Sequence, residues 1–479
     1  MKFTLSLLAF LLLISCGKEA KKNSAEEASQ YLENHLYREY HLASEGVQPD
    51  TLLNEMQKHH VVGTSIAVLH DGKIQWAKGY GLANDQAPVD STTLFQAASI
   101  SKPIAALAVL KLLEDGKVSL DSNVNTYLKT WKLPGNKFTH DKKVTLRQLL
   151  SHTAGTNVHG FPGYTEKDSM PTGIEVLEGK GNTDAVVLDT VPGTRYRYSG
   201  GGYTIVQQVI EDVSGMTFET YMQQHILEPL GMHRSTYAQP LPANREAEAS
   251  AAFDGQGNKI NNGWHHYPEQ AAAGLWTTPS DLLRYVQEIQ AIRAGKTNGL
   301  LQPETVNMML AENEHMHGLG PSLEKIGDTL IFSHGGKNAG YTNVFMGFAD
   351  QGKGLAVLTN SDKGGRILSA ISRGVSDYYN WGIYKPQLLD TISLPDSFLE
   401  QFTGNYTYVS QVPGAGGDYN MSVQLREGQL HILDIPESTT YSFVATDSLH
   451  FRDLQKNARI HFDEGPVLWW NGRFEFRRR

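Results

Sequence analysis

The segment FQAASISKPIAALAVLKLLEDGKVSLD (Phe95–Asp121) joins a polar start to an apolar, alanine- and leucine-rich run with helical spacing. Ser99 and Lys102 are three residues apart at that start, so on a helix their side chains lie on one face. A partly desolvated lysine beside a serine can lose its proton and activate the hydroxyl group. The segment therefore indicates either a nucleophile with its base or a capped helix with an ordinary surface lysine.

The same Ser-x-x-Lys spacing occurs a second time, at Ser322 and Lys325 in the stretch PSLEKIG. No apolar helical run follows this second pair. The run after Ser99, in contrast, predicts a buried amphipathic helix that tolerates Pro103 in its first turn. Spacing alone is a weak indication of catalysis, and the apolar context favours the first pair.

The composition is that of an ordinary globular protein and suggests no nucleic-acid partner. The residues are 40% hydrophobic and 19% charged. The length of 479 residues is typical of two or three domains. The formal net charge is -9, and the chain has no basic stripe of the kind that binds nucleic acid.

The N-terminal stretch MKFTLSLLAFLLLISC (1–16) has one cation followed by an apolar core that is too short to span a membrane. It resembles a bacterial lipoprotein signal, in which Cys16 is lipidated and becomes the mature N-terminus. The alternative is a secretory signal that happens to end near a cysteine. Cys16 is the only cysteine, which excludes a disulfide or thiol nucleophile in the folded body. Gly17 favours an outer-membrane location, so we expect a lipid-anchored, extracytoplasmic protein.

Beyond the signal, the pattern predicts three parts. Residues 17–45 are polar and charged and are predicted to form a tether. Residues 46–385 have strand-like runs at both ends and helical runs between, which predicts an antiparallel sheet flanked by helices with an all-helical subdomain, an α+β fold. Residues 386–479 consist of short alternating segments and predict a small all-β domain, barrel-like or a sandwich.

Several segments, taken with Ser99 and Lys102, resemble the serine β-lactamase and penicillin-binding protein family, most closely its class C branch. The stretch VPGTRYRYSGGGYTIVQQVIE carries Tyr198-Ser199-Gly200 at the position of the family's Tyr-x-Asn element. The stretch FSHGGKNAGYTNVF carries His334-Gly335-Gly336 at the position of its Lys-Thr-Gly or His-x-Gly element. LRQLLSHTAG and AAAGLWTTPSDLLRY match two further landmarks in family order, so the resemblance extends over most of the chain.

The resemblance implies acyl transfer without a cofactor. Ser99 attacks a carbonyl and forms an acyl-enzyme, while Lys102 and Tyr198 move the proton; which of the two is the base stays open. The strand at 334–337 binds the substrate like an added β-strand, and the backbone amides of Ser99 and Lys337 form the oxyanion hole. Since His334 stands where a lysine often stands, activity is expected to follow its titration.

The family's asparagine, which contacts the amide group of the substrate, is replaced by Gly200. This weakens the case for efficient β-lactam hydrolysis and leaves peptides, esters and β-lactams as substrates. We expect a D-alanyl-D-alanine carboxypeptidase-like or esterase-like hydrolase of a small-molecule or peptide acyl substrate. The sequence does not indicate an oligomeric state. The alternative is a penicillin-binding sensor that is acylated with little turnover and whose C-terminal domain binds a partner.

The histidine pattern predicts no metal site. The pairs at 59–60 and 265–266 are adjacent in sequence and lack the i, i+4 spacing of a helical metal pair. His152 is predicted to be structural, with local hydrogen bonds. His159 and Tyr164 lie in a glycine- and proline-rich loop and are predicted to line the pocket.

Overall fold

The computed structural model describes residues 25–260, 263–409, 419–436, 439–463 and 467–479. The predicted signal peptide and Cys16 lie outside the described residues. The α-helices are α1 (Ala25–Asn34), α2 (Leu52–Lys58), α3 (Ser101–Glu114), α4 (Leu146–Leu150), α5 (Gly173–Leu177), α6 (Gly200–Ser214), α7 (Phe218–Met222), α8 (Gln270–Ala273), α9 (Pro279–Arg293), α10 (Pro303–Met309), α11 (Gly365–Tyr378) and α12 (Asp396–Leu399). The strands before the C-terminal domain are β1 (Tyr40–Leu42), β2 (Gly63–His70), β3 (Lys73–Gly81), β4 (Phe95–Gln96), β5 (Trp276–Thr277), β6 (Ser322–Ile326), β7 (Thr329–Asn338), β8 (Tyr341–Phe348), β9 (Gly354–Thr359) and β10 (Gln387–Leu389).

The main sheet is antiparallel and has the strand order β3-β2-β9-β8-β7-β6. Strands β2 and β3 precede the helical region in sequence, and β6 to β9 follow it. The two groups meet where β2 pairs with β9, with Ile66 opposite Val357. The predicted α+β fold, with strands from both ends in one sheet and helices between them, is confirmed.

Both faces of this sheet are covered, so the middle parts of its central strands are continuous apolar runs, such as 66–69 in β2 and 355–358 in β9. In β2, Ala67 and Leu69 join the core on the side of α3 and α9. Ile66 and Val68 join a second core on the side of α1, α2 and α11. The first core extends into the helical region, and it fixes the position of α3 relative to the sheet.

Helix α3 lies inside the first core and is buried on nearly every side. Its alanines allow neighbouring elements to approach closely, and its leucines fill the gaps between them. The helix ends at Asp115, followed by Gly116 with a φ of 67°, a conformation that glycine adopts without strain. The sequence predicts an amphipathic helix here; the structure shows a central helix with no polar face, because the sheet and other helices surround it.

The tether prediction for residues 17–45 is wrong from Ala25 onward. Helix α1 packs on the second core through Ala28 and Leu32, which are four residues apart on one face. Its Tyr31 hydroxyl donates to Asp377 of α11. Strand β1 then pairs in parallel with β10. This segment is therefore part of the folded body.

The C-terminal domain is a closed antiparallel barrel of eight strands, which confirms the predicted all-β domain and selects the barrel over the sandwich. Its strands are β11 (Gly404–Tyr408), β12 (Asn420–Arg426), β13 (Gln429–Asp434), β14 (Thr439–Ala445), β15 (His450–Asp453), β16 (Ala458–Phe462), β17 (Val467–Trp470) and β18 (Phe474–Arg478). Alternate residues such as Leu430 and Ile432 fill the interior. Among the described residues, no helix has the length and apolar character needed to cross a membrane.

Candidate active site

Ser99 lies in a short 3₁₀ turn, Ala98–Ile100, that leads directly into α3. Ala98 has a φ of 54°, in the left-handed region, which costs an alanine roughly 1–2 kcal/mol. The Ser101 hydroxyl donates a hydrogen bond of 2.6 Å to the Ala98 carbonyl oxygen and helps to hold the turn. Backbone strain of this kind clusters at functional sites, where the surrounding fold maintains it.

Lys102, in the first turn of α3, is only 2% exposed. Its Nζ lies 2.9 Å from Ser99 Oγ and donates to the Ala272 carbonyl oxygen at 2.8 Å. Burial lowers the pKa of Lys102 to about 7, because the ammonium form loses its hydration. In the neutral form Nζ has a lone pair, so the contact can run from the Ser99 hydroxyl to the amine. Lys102 can therefore accept the hydroxyl proton of Ser99 near neutral pH.

Tyr198 precedes α6 and faces the same pair of residues. Lys102 Nζ lies 5.0 Å from the centre of the Tyr198 ring. Burial raises the pKa of Tyr198 to about 12, and the neighbouring Ser99 side chain offsets part of the rise. The next residue, Ser199, caps α6 by accepting the Gly202 amide at 3.1 Å, and its own hydroxyl donates to Val158 O at 2.7 Å. The cap fixes the backbone that carries Tyr198, which is a neutral phenol at neutral pH.

The second half of β7 passes beside the Ser99 turn. Strand β6 pairs with β7 only as far as Ser333, so residues 334–338 have β8 as a partner on one edge and no strand among the described residues on the other. A Cβ atom on Gly336 would lie 2.1 Å from the Ala97 carbonyl oxygen. Only glycine allows this close approach of the strand to the turn. The free edge is available to an extended substrate, as the resemblance implies.

His334 is 5% exposed, and its Nδ1 donates to the Gly335 carbonyl oxygen at 2.6 Å. Burial and the nearby Lys102 lower the pKa of His334 to about 3. The histidine is therefore neutral at neutral pH. The burial of the ring therefore gives no support to the expectation that activity follows its titration near neutrality, and the sequence does not show how deeply the ring is buried.

Gly200, at the position of the family's asparagine, begins α6. A Cβ atom there would lie 2.8 Å from Phe161 Cε2 and 3.1 Å from the His159 carbonyl oxygen. The aromatic ring of Phe161 thus occupies the space that a side chain at position 200 needs. The pocket has an apolar wall where the resemblance implies an amide.

All the predicted catalytic and substrate-binding residues except Lys102 line one pocket with a volume of about 1270 Å³. It contains Ser99, Tyr198, His334, Gly335, Gly336 and Lys337, together with His159 and Phe161. Lys102 lies behind Ser99 and is buried. Tyr164, which the sequence predicts in the lining, is instead buried and accepts a hydrogen bond from the Asn182 amide. The loop contributes His159 and Phe161 in its place.

The second Ser-x-x-Lys pair has no such environment. Ser322 and Lys325 lie in strand β6, and the Lys325 ammonium pairs with Glu312 at 2.9 Å. Successive residues of a strand point to opposite faces, so this spacing does not place the two side chains together. The preference for Ser99 from its apolar context therefore agrees with the structure.

Two histidines near the site were misjudged or missed by sequence reasoning. His152 is buried, and its Nδ1 accepts the Ser199 amide at 3.1 Å, a contact between residues 47 apart instead of a local one. Its ring centre lies 4.2 Å from that of Tyr198 and 4.9 Å from that of His317. His317 lies two residues from His315 in a histidine-rich loop, and no sequence motif around it indicated that it lies near the site.

With this geometry, the chain is an α+β protein with a buried serine–lysine pair at the end of a central helix. A sequence profile of the Beta-lactamase family matches residues 50–374. This span is more than half of the 479 residues, and the chain therefore belongs to the beta-lactamase family. The resemblance drawn from the motifs is confirmed.

Two curated relatives illustrate the range of the family. Protein flp of Staphylococcus aureus (strain MW2) is 24% identical over 322 residues, which are 65% of this chain and 62% of that protein. A D-aminopeptidase of Gluconobacter oxydans (strain 621H) is 24% identical over 383 residues, 76% of this chain and 68% of the relative. The chain thus spans less than two thirds of the length of Protein flp.

Solved structures share the fold. The octameric penicillin-binding protein homologue from Pyrococcus abyssi superposes with a TM-score of 0.60 at 22% identity, covering 89% of this chain and 98% of the other. A class C beta-lactamase superposes with a TM-score of 0.54 at 22% identity, covering 67% of this chain and 93% of the other. At these identities the comparison concerns the fold.

Proposed function

We propose that this protein is a serine hydrolase that forms an acyl-enzyme at Ser99. The observation that carries this proposal is the 2.9 Å contact between Lys102 Nζ and Ser99 Oγ, in surroundings that make the neutral amine accessible. A lysine with an ordinary pKa would be protonated at neutral pH and would have no lone pair to accept a proton. Membership of the beta-lactamase family and similarity to a D-aminopeptidase support the same reaction class.

In the proposed acylation step, Ser99 Oγ bonds to the carbonyl carbon and Lys102 takes the hydroxyl proton. Tyr198 is not the base, because its pKa is raised to about 12 and its phenol therefore keeps its proton at neutral pH. It serves instead as the proton donor: as the intermediate collapses, the bond to the leaving group breaks and that group takes the phenolic proton. Lys102 then returns its proton to Tyr198. Water attacks the acyl carbonyl in the second step and releases the acid and free Ser99.

The backbone amides of Ser99 and Lys337 are proposed to stabilise the oxyanion. The close approach of Gly336 to the Ala97 carbonyl oxygen supports this role, because it holds β7 against the Ser99 turn. Donors fixed before the reaction stabilise developing charge without having to reorganise.

The proposed substrate is a peptide or related acyl compound with a carboxylate, in the manner of a D-amino-acid carboxypeptidase. The pocket carboxylates Glu39 and Glu324 are engaged by Arg373 and the Tyr384 hydroxyl, respectively. Lys337 is exposed in the pocket beside the free strand edge and forms no ion pair with another described residue. A cation there suits a substrate carboxylate better than a substrate amine. Lipidation at Cys16 is proposed to hold the enzyme at an extracytoplasmic membrane surface.

A substrate panel tests this function. The purified protein is incubated with D-Ala-D-Ala peptides, nitrocefin and short-chain nitrophenyl esters, and product formation is followed. We expect turnover of at least one carboxylate-bearing peptide and its loss in Ser99→Ala. Ser322→Ala, in the second Ser-x-x-Lys pair, is the matched control and is expected to retain activity. Stable acylation without turnover would instead identify a penicillin-binding sensor, and equal loss in both variants would contradict the assignment of Ser99.

A further inference from the structure

Three buried histidines from distant parts of the chain converge next to Tyr198. His152 follows α4, His317 precedes β6 and His334 lies on β7; their exposed fractions are 1%, 2% and 5%. One ring nitrogen from each lies within 4.8 Å of the other two. All three Nε2 atoms are buried, and none has a hydrogen-bond partner among the described residues. Buried nitrogens of this kind indicate a ligand, because leaving them unpaired is costly.

Two of these imidazoles are already arranged as metal ligands. His317 Nδ1 lies 3.0 Å from the Gly318 carbonyl oxygen, and His334 Nδ1 lies 2.6 Å from the Gly335 carbonyl oxygen. A carbonyl oxygen only accepts, so each Nδ1 carries the hydrogen and each Nε2 presents a lone pair. Metal-bound histidines are commonly held by this contact to a backbone carbonyl, which fixes both tautomer and ring orientation.

The third imidazole differs in its tautomer. His152 Nδ1 accepts the Ser199 amide at 3.1 Å, so in the metal-free protein the hydrogen of His152 is on Nε2. Binding a metal through Nε2 moves that hydrogen to Nδ1 and breaks the bond to Ser199. The exchange replaces one hydrogen bond with a third metal–nitrogen bond.

We propose that His152, His317 and His334 bind one divalent transition-metal ion, of the zinc class, through their Nε2 atoms. Imidazole nitrogens without a carboxylate select zinc, cobalt, nickel or copper over magnesium or calcium. Zinc–nitrogen bonds of about 2.0–2.1 Å in a tetrahedral site draw the nitrogens to roughly 3.4 Å from one another. Of the three histidines, His334 lines the pocket together with Tyr198, so the proposed site adjoins that pocket.

If the proposed function holds, metal binding at this site is inhibitory. The hydrogen bond that it breaks, between the Ser199 amide and His152, lies next to Tyr198, the proposed proton donor. Ser199 directly follows Tyr198, and the hydrogen bond from the Ser199 amide to His152 Nδ1 helps to fix the backbone at both residues. Metal binding frees the Ser199 amide and loosens Tyr198. We expect the metal-loaded protein to acylate at least about tenfold more slowly, a consequence that rests on the proposed function, whereas metal binding itself does not.

Cobalt and zinc titration of chelator-treated protein tests the site without reference to activity. We expect one Co²⁺ per chain, with the intense visible absorption of a four-coordinate ion, and its displacement by Zn²⁺. His317→Gln is expected to weaken binding at least about 100-fold. His315→Gln is the matched control: it removes a neighbouring histidine of the same loop that lies outside the cluster and pairs with Glu314.

The proposal is overturned if wild-type protein binds less than one equivalent of Co²⁺ or Zn²⁺ at 100 μM, or if His317→Gln and wild type bind equally. If His317→Gln does not fold, anomalous diffraction from zinc-soaked wild-type crystals decides the matter. A zinc signal about 2.1 Å from the three nitrogens supports the site. A non-anomalous peak about 2.8 Å from them identifies a buried water and contradicts it.

Discussion

Two adjacent glycines of β7 are predicted to respond in opposite directions to substitution by alanine. At Gly336, the added Cβ lies 2.1 Å from the Ala97 carbonyl oxygen, so strand and turn have to separate by about 1 Å to restore an ordinary contact. At Gly335, the nearest atom is the Asn343 carbonyl oxygen at 3.8 Å, which is an ordinary contact. Both residues lie in the same strand, so each is a control for the other.

The magnitudes follow from these distances. Overpacking against a backbone atom is expected to lower the free energy of unfolding of Gly336→Ala by about 1–3 kcal/mol. Gly335→Ala loses a flexible residue from a strand without a clash, and its free energy of unfolding is expected to rise by as much as about 0.5–1 kcal/mol. Separation of β7 from the turn also moves the Lys337 amide away from Ser99. An error of 1 Å in such a site costs acylation about 10²-fold.

Urea unfolding measures the first effect, and the rate of labelling by a fluorophosphonate measures the second. The probe is small, so the remainder of the pocket contributes little to its reaction. Equal stability of the two variants, or undiminished labelling of Gly336→Ala, would refute the claim that the close contact between β7 and the Ala97 carbonyl oxygen positions the Lys337 amide next to Ser99.

Three further perturbations test the roles of individual residues. Because Lys102 acts as a base only when neutral and its pKa is about 7, kcat/KM is expected to fall about tenfold per pH unit below pH 7 and to level off above it. In Lys102→Arg the side chain stays protonated, and kcat/KM is expected to fall about 10²–10⁴-fold. A flat pH profile of the wild type would exclude Lys102 as the base. Gly200→Asn is expected to slow acylation roughly tenfold by its clash with Phe161, and adding Phe161→Ala is expected to recover most of the rate; no recovery would mean that Phe161 is not the obstacle. Lys337→Met is expected to raise KM for a carboxylate-bearing peptide about threefold to fivefold and to leave a neutral ester unaffected, and equal changes for both would argue against carboxylate recognition.

The sequence was sufficient to predict the fold and the grouping of the motif residues. Ser99, Tyr198 and residues 334–337 line one pocket, a grouping that the resemblance to the beta-lactamase family implied and that spacing alone did not indicate. The order of apolar runs predicted a sheet made from both ends of the chain. That order is a local and periodic signal, which a single sequence contains.

Features that depend on distant contacts were not predictable. Helix α1 reads as a polar tether because its apolar residues are few, and only the sheet and α11 show what Ala28 and Leu32 pack against. The depth of His334, and hence its lowered pKa, depends on neighbours from other elements. The cluster of His152, His317 and His334 joins a helix end, a loop and a strand, so no spacing rule could reveal it.

The loss of the asparagine at Gly200 acquires a physical meaning only from the structure. The sequence shows that an amide is missing, and the structure places Phe161 in the space that this side chain would occupy. The two positions are far apart in sequence, and the Gly200 amide donates to the carbonyl oxygen of His159 in the loop that carries Phe161. This wall of the pocket is therefore apolar.

The most direct test of the central claim is the intact mass of the protein after incubation with a fluorophosphonate. The account predicts one adduct per chain in the wild type, located by peptide mapping at Ser99. It predicts no adduct in Ser99→Ala and an unchanged adduct in Ser322→Ala. A folded wild-type protein that stays unlabelled, or a label that persists in Ser99→Ala, would contradict the assignment of Ser99 as the nucleophile.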